Sequence, residues 1–204
     1  MIAHFKQKYP LIDINVVEGN TTQLEDMLAS NSLDFVIDNY QYNPAIYNKK
    51  LYCNEDILLA VPVHFPVNKQ LKDYQLSYDD ILSKGNHFQN HSSIPLHFFS
   101  ELPFIMLTHG NDTRIRGDHL CQKAGFRPKI ILEFNQQTTA YMAASTQLGA
   151  TFISDMLVSQ LPSFDNLVYY KLDGEAAKRE VYFYYKSHRY QTRAMEEFLA
   201  MIPN

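Results

Sequence analysis

Strand-like and helix-like segments alternate twice along this chain, once before residue 63 and once after residue 100. Residues 12–17 alternate apolar and polar side chains, as a half-buried strand does. The next helix carries Leu24, Met27 and Leu28 on one face, and residues 33–38 form a second strand. A short strand–helix–strand connection gives a right-handed crossover and a parallel sheet. The alternation therefore predicts an α/β fold with two lobes.

The middle of the chain separates the two alternations. Residues 55–62 are a nearly continuous apolar run, which predicts a central strand buried on both faces. Residues 63–100 are rich in Asn, His, Ser and Pro, and we interpret them as a connecting region rather than a core. Strands are expected again at 102–107 and 129–134, with a helix between them that Gly125 ends.

Composition excludes several classes of function. The net charge of the 204 residues is −4, so the chain has no basic field that would attract nucleic acid. No apolar run reaches the roughly 18 residues that a membrane span needs, and the first residues do not resemble a signal peptide. We therefore expect a cytoplasmic protein with no membrane partner. In that compartment Cys53 and Cys121 are expected to be buried thiols rather than a disulfide.

A series of short motifs resembles the effector-binding domain of LysR-type transcriptional regulators. The motifs are FKQKYP at 5–10, VEGNT at 17–21, LDFVI at 33–37, CQKAGFRP at 121–128 and LGATFI at 148–153. None of them is specific alone, but their order and spacing are typical of that family. The resemblance implies a type II periplasmic-binding-protein fold, in which two Rossmann-like lobes are joined by two crossover strands and an effector binds between them.

The resemblance also implies an organisation for the chain. Lobe I is expected at 1–58 plus 163–204 and lobe II at 59–162, with the first strand of lobe I missing. The N-terminal winged helix-turn-helix of the family is absent from this chain, so DNA would be bound only through that missing domain. We expect a homodimer, and a tetramer of the full-length regulator. Phe5, Ile115 and Leu120 are the expected contributors to a side-by-side dimer contact.

Candidate ligand-binding residues lie where predicted strands end and helices begin. Ligands of open α/β sheets bind at such places, and helix N-termini favour anions. The residues are Asn20, Thr21, Thr22, Thr108, His109, Gly110, Asn111, Thr113, Gln137 and Thr138. They suit a small-molecule effector, with small acids as one class. Thr21 matches the effector-contacting position of the family. The alternative is that Thr21 and Thr138 serve only as helix caps.

Other interpretations of single residues stay open at this point. Arg114 is either a two-point carboxylate clamp or a surface ion-pair partner. His87, His91 and His97 have a spacing that can bind zinc, but no Glu lies between the first two, and we expect no metal site. No cofactor motif is present, so no cofactor is expected. The rival functions are a transport-type solute-binding protein with the same fold and, third, an enzyme built on this fold.

Overall fold

The computed structural model describes residues 1–202, apart from the side chains of Asn86 and His87. The chain divides into two units: unit 1 is Met1–Asn54 with Glu180–Asn204, and unit 2 is Glu55–Arg179. These units differ from the lobes expected from the sequence in residues 55–58 and 163–179. The lobe boundaries at 58/59 and 162/163 stay a prediction.

Strands and helices follow one another along the chain as predicted, except that no strand forms at 12–17. The strands are β1 (Val36–Asp38), β2 (Tyr47–Pro62), β3 (Gln75–Leu76), β4 (Pro103–Leu107), β5 (Lys129–Phe134), β6 (Thr151–Ser154), β7 (Leu167–Lys171) and β8 (Lys178–Lys186). The helices are α1 (Ile2–Lys8), α2 (Thr21–Ala29), α3 (Tyr78–Ser83), α4 (Asn86–Asn90), α5 (Asp112–Lys123), α6 (Gln137–Ser145), α7 (Asp155–Gln160) and α8 (Arg193–Ala200). Because β2 and β8 each contain residues of both units, they are the two strands that connect the units.

Unit 1 is built on a small sheet in which β8 lies between β1 and β2. β1 and β8 are antiparallel, with Val36 opposite Tyr184. One face of this sheet packs into a core that contains Tyr42, Tyr47 and Tyr184. Three of the five buried residues of this core are tyrosines, so aromatic rings supply a large part of its apolar surface.

The strand predicted at 12–17 does not form, and this expectation was wrong. Residues 13–20 have no regular secondary structure, and Val16 is 76% exposed. A strand needs the hydrogen bonds of a neighbour, and no strand among residues 1–202 pairs with this segment. Alternation of apolar residues indicates which face of a strand is buried, but it supplies no partner. The second strand, expected at 33–38, is also shortened to the three residues of β1.

Strand β2 is the centre of unit 2, as its apolar run predicts. It pairs antiparallel with β6 on one edge and with β7 on the other, and β3 adds to β7. Residues 57–61 are all 0% exposed. Ile57, Leu59 and Val61 face one core and Leu58 and Ala60 face the other. The prediction of a strand buried on both faces is confirmed.

The first predicted crossover lacks its first strand, whereas the second is present in unit 2. β4 and β5 are parallel, and α5 lies between them in sequence. The backbone of the LGATFI motif is hydrogen-bonded to β4: Ala150 N–H donates to the Pro103 carbonyl at 2.9 Å. A Cβ on Gly149 would lie 2.7 Å from that same carbonyl oxygen. Glycine therefore permits the close approach of the two backbones.

Residues 63–100 are part of the core, so their interpretation as a mere connecting region was wrong. The first core of unit 2 includes Leu71, Ile94, Leu96 and Phe99, and the second includes Leu76, Ile81 and Phe88. These residues lie on short helices, 3-10 turns and the two-residue strand β3. Their spacing has no sustained period of 2 or 3.6, so a periodicity argument does not find them.

Two of the three residues expected at a dimer contact are buried instead. Phe5 is 1% exposed, and its ring packs edge-on against Phe198 with a centroid distance of 5.2 Å. Leu120 is 5% exposed and belongs to a core of unit 2. Ile115 alone of the three is available at the surface, with 59% of its area exposed.

Candidate functional site

The candidate residues of unit 1 lie at the start of α2. Asn20 is the N-cap: its side-chain oxygen accepts a hydrogen bond from Gln23 N–H at 2.9 Å, and the Gln23 side chain accepts one from Asn20 N–H at 3.2 Å. This reciprocal pair is a capping box. Thr21 and Thr22 are the first two helical residues, so Thr21 is not the cap. The capping alternative for Thr21 is therefore wrong.

Two neighbours of this helix start were not found from the sequence. The Tyr42 hydroxyl lies 3.0 Å from Asp38 Oδ2 and 3.4 Å from the Thr21 carbonyl oxygen. Burial and the nearby Asp38 carboxylate both raise the pKa of Tyr42, so its hydroxyl keeps its proton and acts as a donor. Asp38 ends β1, a position that the strand-end rule indicates. Tyr42 lies in a loop with no such signal.

The candidate residues of unit 2 gather at the carboxyl ends of β4 and β5. These strands are parallel neighbours, so their carboxyl ends share one edge of the sheet. Thr108 follows β4, and its hydroxyl donates to the side-chain oxygen of Asn135, which follows β5, at 2.9 Å. Gly110 has φ +88, a turn conformation that glycine adopts without strain. Asn111 then caps α5 by accepting from Thr113 N–H at 2.9 Å.

The start of α6 lies beside the start of α5. Gln137 Nε2 donates to Thr113 Oγ1, and Gln137 Oε1 accepts from Ser154 N–H at 3.3 Å. Thr113 is only 2% exposed, so it holds Gln137 in place rather than facing solvent. The residue before α6 gives no side-chain cap, and Thr138 lies inside the first turn. The capping alternative is therefore wrong for Thr138 as well.

Arg114 is engaged inside the protein and is not a clamp for a ligand. Its side chain is 5% exposed. It donates to Asp118 Oδ2 at 2.8 Å and to the Leu107 carbonyl at 2.8 Å, and it pairs with Glu133. His109 is exposed, with its Nε2 3.4 Å from Arg114 Nη2. Ion pairing, the alternative for Arg114, is correct, although the guanidinium is buried rather than at the surface.

Arg179 is a second arginine of this region, and the sequence did not indicate it. It donates from Nε to Glu55 Oε2 at 2.5 Å and from Nη1 to Asp112 Oδ2 at 3.0 Å and Thr113 Oγ1 at 3.1 Å. Burial alone lowers the pKa of Arg179, but Glu55 and Asp112 raise it by more, so the guanidinium stays charged. Its partners are remote in sequence, and no local motif brings them together.

The family model for the LysR substrate binding domain matches residues 1–204, the whole chain. The chain belongs to the LysR substrate-binding domain family. The HTH-type transcriptional regulator YcgK of Bacillus subtilis is 21% identical over 206 residues, which cover 98% of this chain and 60% of YcgK. This LysR domain thus spans about three fifths of the length of that curated relative.

Solved structures show the same fold. The CcmR regulatory domain of Synechocystis PCC6803, in complex with 2-PG, matches with a TM-score of 0.76 at 17% identity, over 98% of this chain and 86% of that one. The BenM effector binding domain with its effector benzoate matches with a TM-score of 0.69 at 18% identity, over 98% and 83%. The predicted α/β fold of the type II periplasmic-binding-protein kind is confirmed.

Metal and membrane features of the LysR domain can be stated for the described part of the chain. There, no group of three or more His, Cys, Asp or Glu side chains is placed to hold a metal ion. The side chain of His87, one member of the considered zinc motif, lies outside the described residues. None of the helices within 1–202 has the length and hydropathy of a membrane span. No disulfide joins Cys53 to Cys121.

Proposed function

We propose that this LysR domain is the effector-sensing part of a transcriptional regulator and binds a small metabolite to control transcription. One observation supports the ligand site most directly. Two parallel strands, β4 and β5, end side by side, and α5 and α6 start from there. Backbone N–H groups of a helix start favour an acceptor atom or an anion. The name of the matched relative, a transcriptional regulator, supports the regulatory role.

The ligand class that suits this place is a small acid. The start of α6 has no side-chain cap, and Gln137 and Thr138 are half-buried beside it. A carboxylate can accept hydrogen bonds from the first-turn N–H groups and from a threonine hydroxyl. Benzoate, the effector in the BenM structure, is such an acid. We propose that Thr21 and Thr22 at the start of α2 contribute to binding as well.

The test is a thermal-shift titration of the 204-residue chain with benzoate, 2-PG and a panel of other small carboxylic acids and amino acids. A ligand that binds only the folded state stabilises it by about 2.7 kcal/mol at a hundredfold excess over Kd. We expect at least one acid to raise the Tm. Thr21→Ala and Thr138→Val should each lower the affinity for that acid by about tenfold, without lowering the Tm of the free domain by more than a few degrees.

The matched control is Thr146→Val, at the opposite end of α6. The Thr146 hydroxyl donates only to the Ala143 carbonyl, at 2.7 Å. This variant should bind the acid as tightly as the parent. If Thr21→Ala and Thr138→Val also bind with parental affinity, the assigned residues are wrong. If no acid shifts the Tm, the small-acid class is wrong.

We propose further that the domain acts as a homodimer in the cytoplasm, and as a tetramer in the full-length regulator, with DNA bound through a separate winged helix-turn-helix domain. An exposed apolar surface supports self-association. Ile130, Ile131 and Leu132 of β5 are 36%, 46% and 37% exposed, and β5 pairs with β4 on one edge only. Ile115 on α5, the expected dimer residue that is exposed, offers a further apolar side chain, with 59% of its area at the surface.

A further inference from the structure

One ion pair lies at both chain connections between the units. The chain passes from unit 1 into unit 2 at Asn54–Glu55 and leaves it at Arg179–Glu180. Glu55 lies in β2 and Arg179 in β8. Arg179 Nε and Glu55 Oε2 are 2.5 Å apart, and the two side chains are only 11% and 9% exposed. The first and last residues of unit 2 are therefore bonded directly to each other.

The other side of the same guanidinium reaches the candidate ligand site. Arg179 Nη1 contacts Asp112 and Thr113, the first two residues of α5. Thr113 Oγ1 in turn accepts from Gln137, the first residue of α6, and Gln137 accepts from the backbone of Ser154, the N-cap of α7. A continuous set of hydrogen bonds thus joins three helix starts to both connections, entirely within unit 2.

The geometry of this set makes it sensitive to small displacements. A guanidinium is planar, and its donors have fixed directions, so a shift at Asp112 or Thr113 changes the angle at which Nε meets Glu55. Charge is balanced locally, because Arg116 also pairs with Asp112 at 2.7 Å. A buried ion pair adds little net stability, since desolvation offsets most of the attraction. Stability alone is therefore a weak explanation for burying Arg179 here.

We propose that Arg179 is a positioning residue that couples contact at the starts of α5 and α6 to the two chain connections. The proposal rests on the proposed function, because it takes these helix starts to be where the effector binds. In this scheme a ligand that contacts Gln137 shifts the buried Thr113 hydroxyl bonded to it, and this shift changes the contact between Arg179 and Glu55. The change in this ion pair then acts at the two places where the chain enters and leaves unit 2.

The test needs no ligand and uses hydrogen exchange of the whole 204-residue chain, followed by mass spectrometry with peptide-level resolution. Thr113→Val removes the hydroxyl from the network at its α5 end. We expect it to speed amide exchange by at least about threefold at residues 55–57 and 178–181, while amides of α6 around Tyr141 change less. In an Arg179→Gln background the same Thr113→Val change should no longer affect residues 55–57 and 178–181.

Two further variants separate coupling from simple loss of stability. Arg179→Lys keeps the charge but not the planar fork, so it should behave as Arg179→Gln does. Arg114→Gln removes a guanidinium of α5 whose partners are Asp118, Glu133, Leu107 and His109, and it should leave the connections unchanged. The proposal is overturned if Thr113→Val speeds exchange uniformly, if its effect persists without Arg179, or if Arg114→Gln has the same effect on the connections. Because no acid is added, failure of the thermal-shift titration does not affect this result.

Discussion

Cys121 is a thiol buried in the core of unit 2. Its side chain is 0% exposed within a core of unit 2. Burial, with a smaller contribution from Asp118, raises the pKa of the Cys121 thiol to about 12. The thiolate is the reactive form of cysteine, so this residue is protected chemically as well as sterically. Cys121 is therefore a core residue of α5 rather than a redox or nucleophilic centre.

At pH 8 the thiolate fraction of Cys121 should be only about one in ten thousand, so iodoacetamide should not label it in the folded domain. Labelling in urea should be complete, because an unfolded thiol has a pKa of about 8.5. Since the folded state holds the proton more tightly, stability should also fall as pH rises above about 8.5. Peptide mass mapping of labelled Cys121 in the native domain at pH 8 would contradict this prediction.

Arg114 and Arg179 show which side-chain contacts can be predicted from the sequence and which cannot. Arg114 was considered as a ligand clamp because it follows a polar strand-end loop, yet one of its carboxylate partners lies only four residues away on the same helix. Arg179 was not considered, because its partner Glu55 is 124 residues distant. The polar loops of the candidate site follow from strand ends and helix starts, whereas the side chain that joins them depends on tertiary contacts.

At the scale of elements, the unpaired segment before α2 makes a measurable prediction. The N–H groups of residues 13–17 donate in none of the hydrogen bonds found among the described residues. We expect these amides to exchange on the order of seconds at neutral pH, whereas those of residues 58–61 in β2 should be the slowest. Exchange monitored by NMR checks this. Protection of alternate residues in 13–17 would show that the strand indicated by the sequence forms after all.

Strands and helices were predicted well where their buried residues recur at a regular spacing in the sequence, and poorly elsewhere. β2 was recognised from Glu55 onward because both faces of that part enter a core. Its first half, 47–54, is mostly exposed or half-buried and gave no signal. The short helices and turns of 63–100 bury single apolar residues at irregular spacing. In such segments tertiary packing, rather than local pattern, decides the structure.

For the whole molecule, the proposed homodimer can be tested at the exposed strand β5. Ile131→Lys places a charge on an apolar edge strand, which opposes pairing with another chain. We expect it to weaken dimerisation by about tenfold or more in sedimentation equilibrium. Leu148→Lys is the matched control, because Leu148 is 51% exposed in unit 2 and lies outside β5. Equal weakening by both variants, or a parent chain that is monomeric at high concentration, would show that β5 is not the contact.

The way the chain threads through its two units has a consequence for how it is made. Unit 2 is one unbroken stretch, Glu55–Arg179, whereas the sheet of unit 1 needs β8 between β1 and β2. As the nascent polypeptide leaves the ribosome, unit 2 can assemble while the beginning of unit 1 still waits for its central strand. Residues 1–54 must therefore stay soluble throughout the synthesis of the next 125, with apolar side chains that β8 and α8 will help to cover.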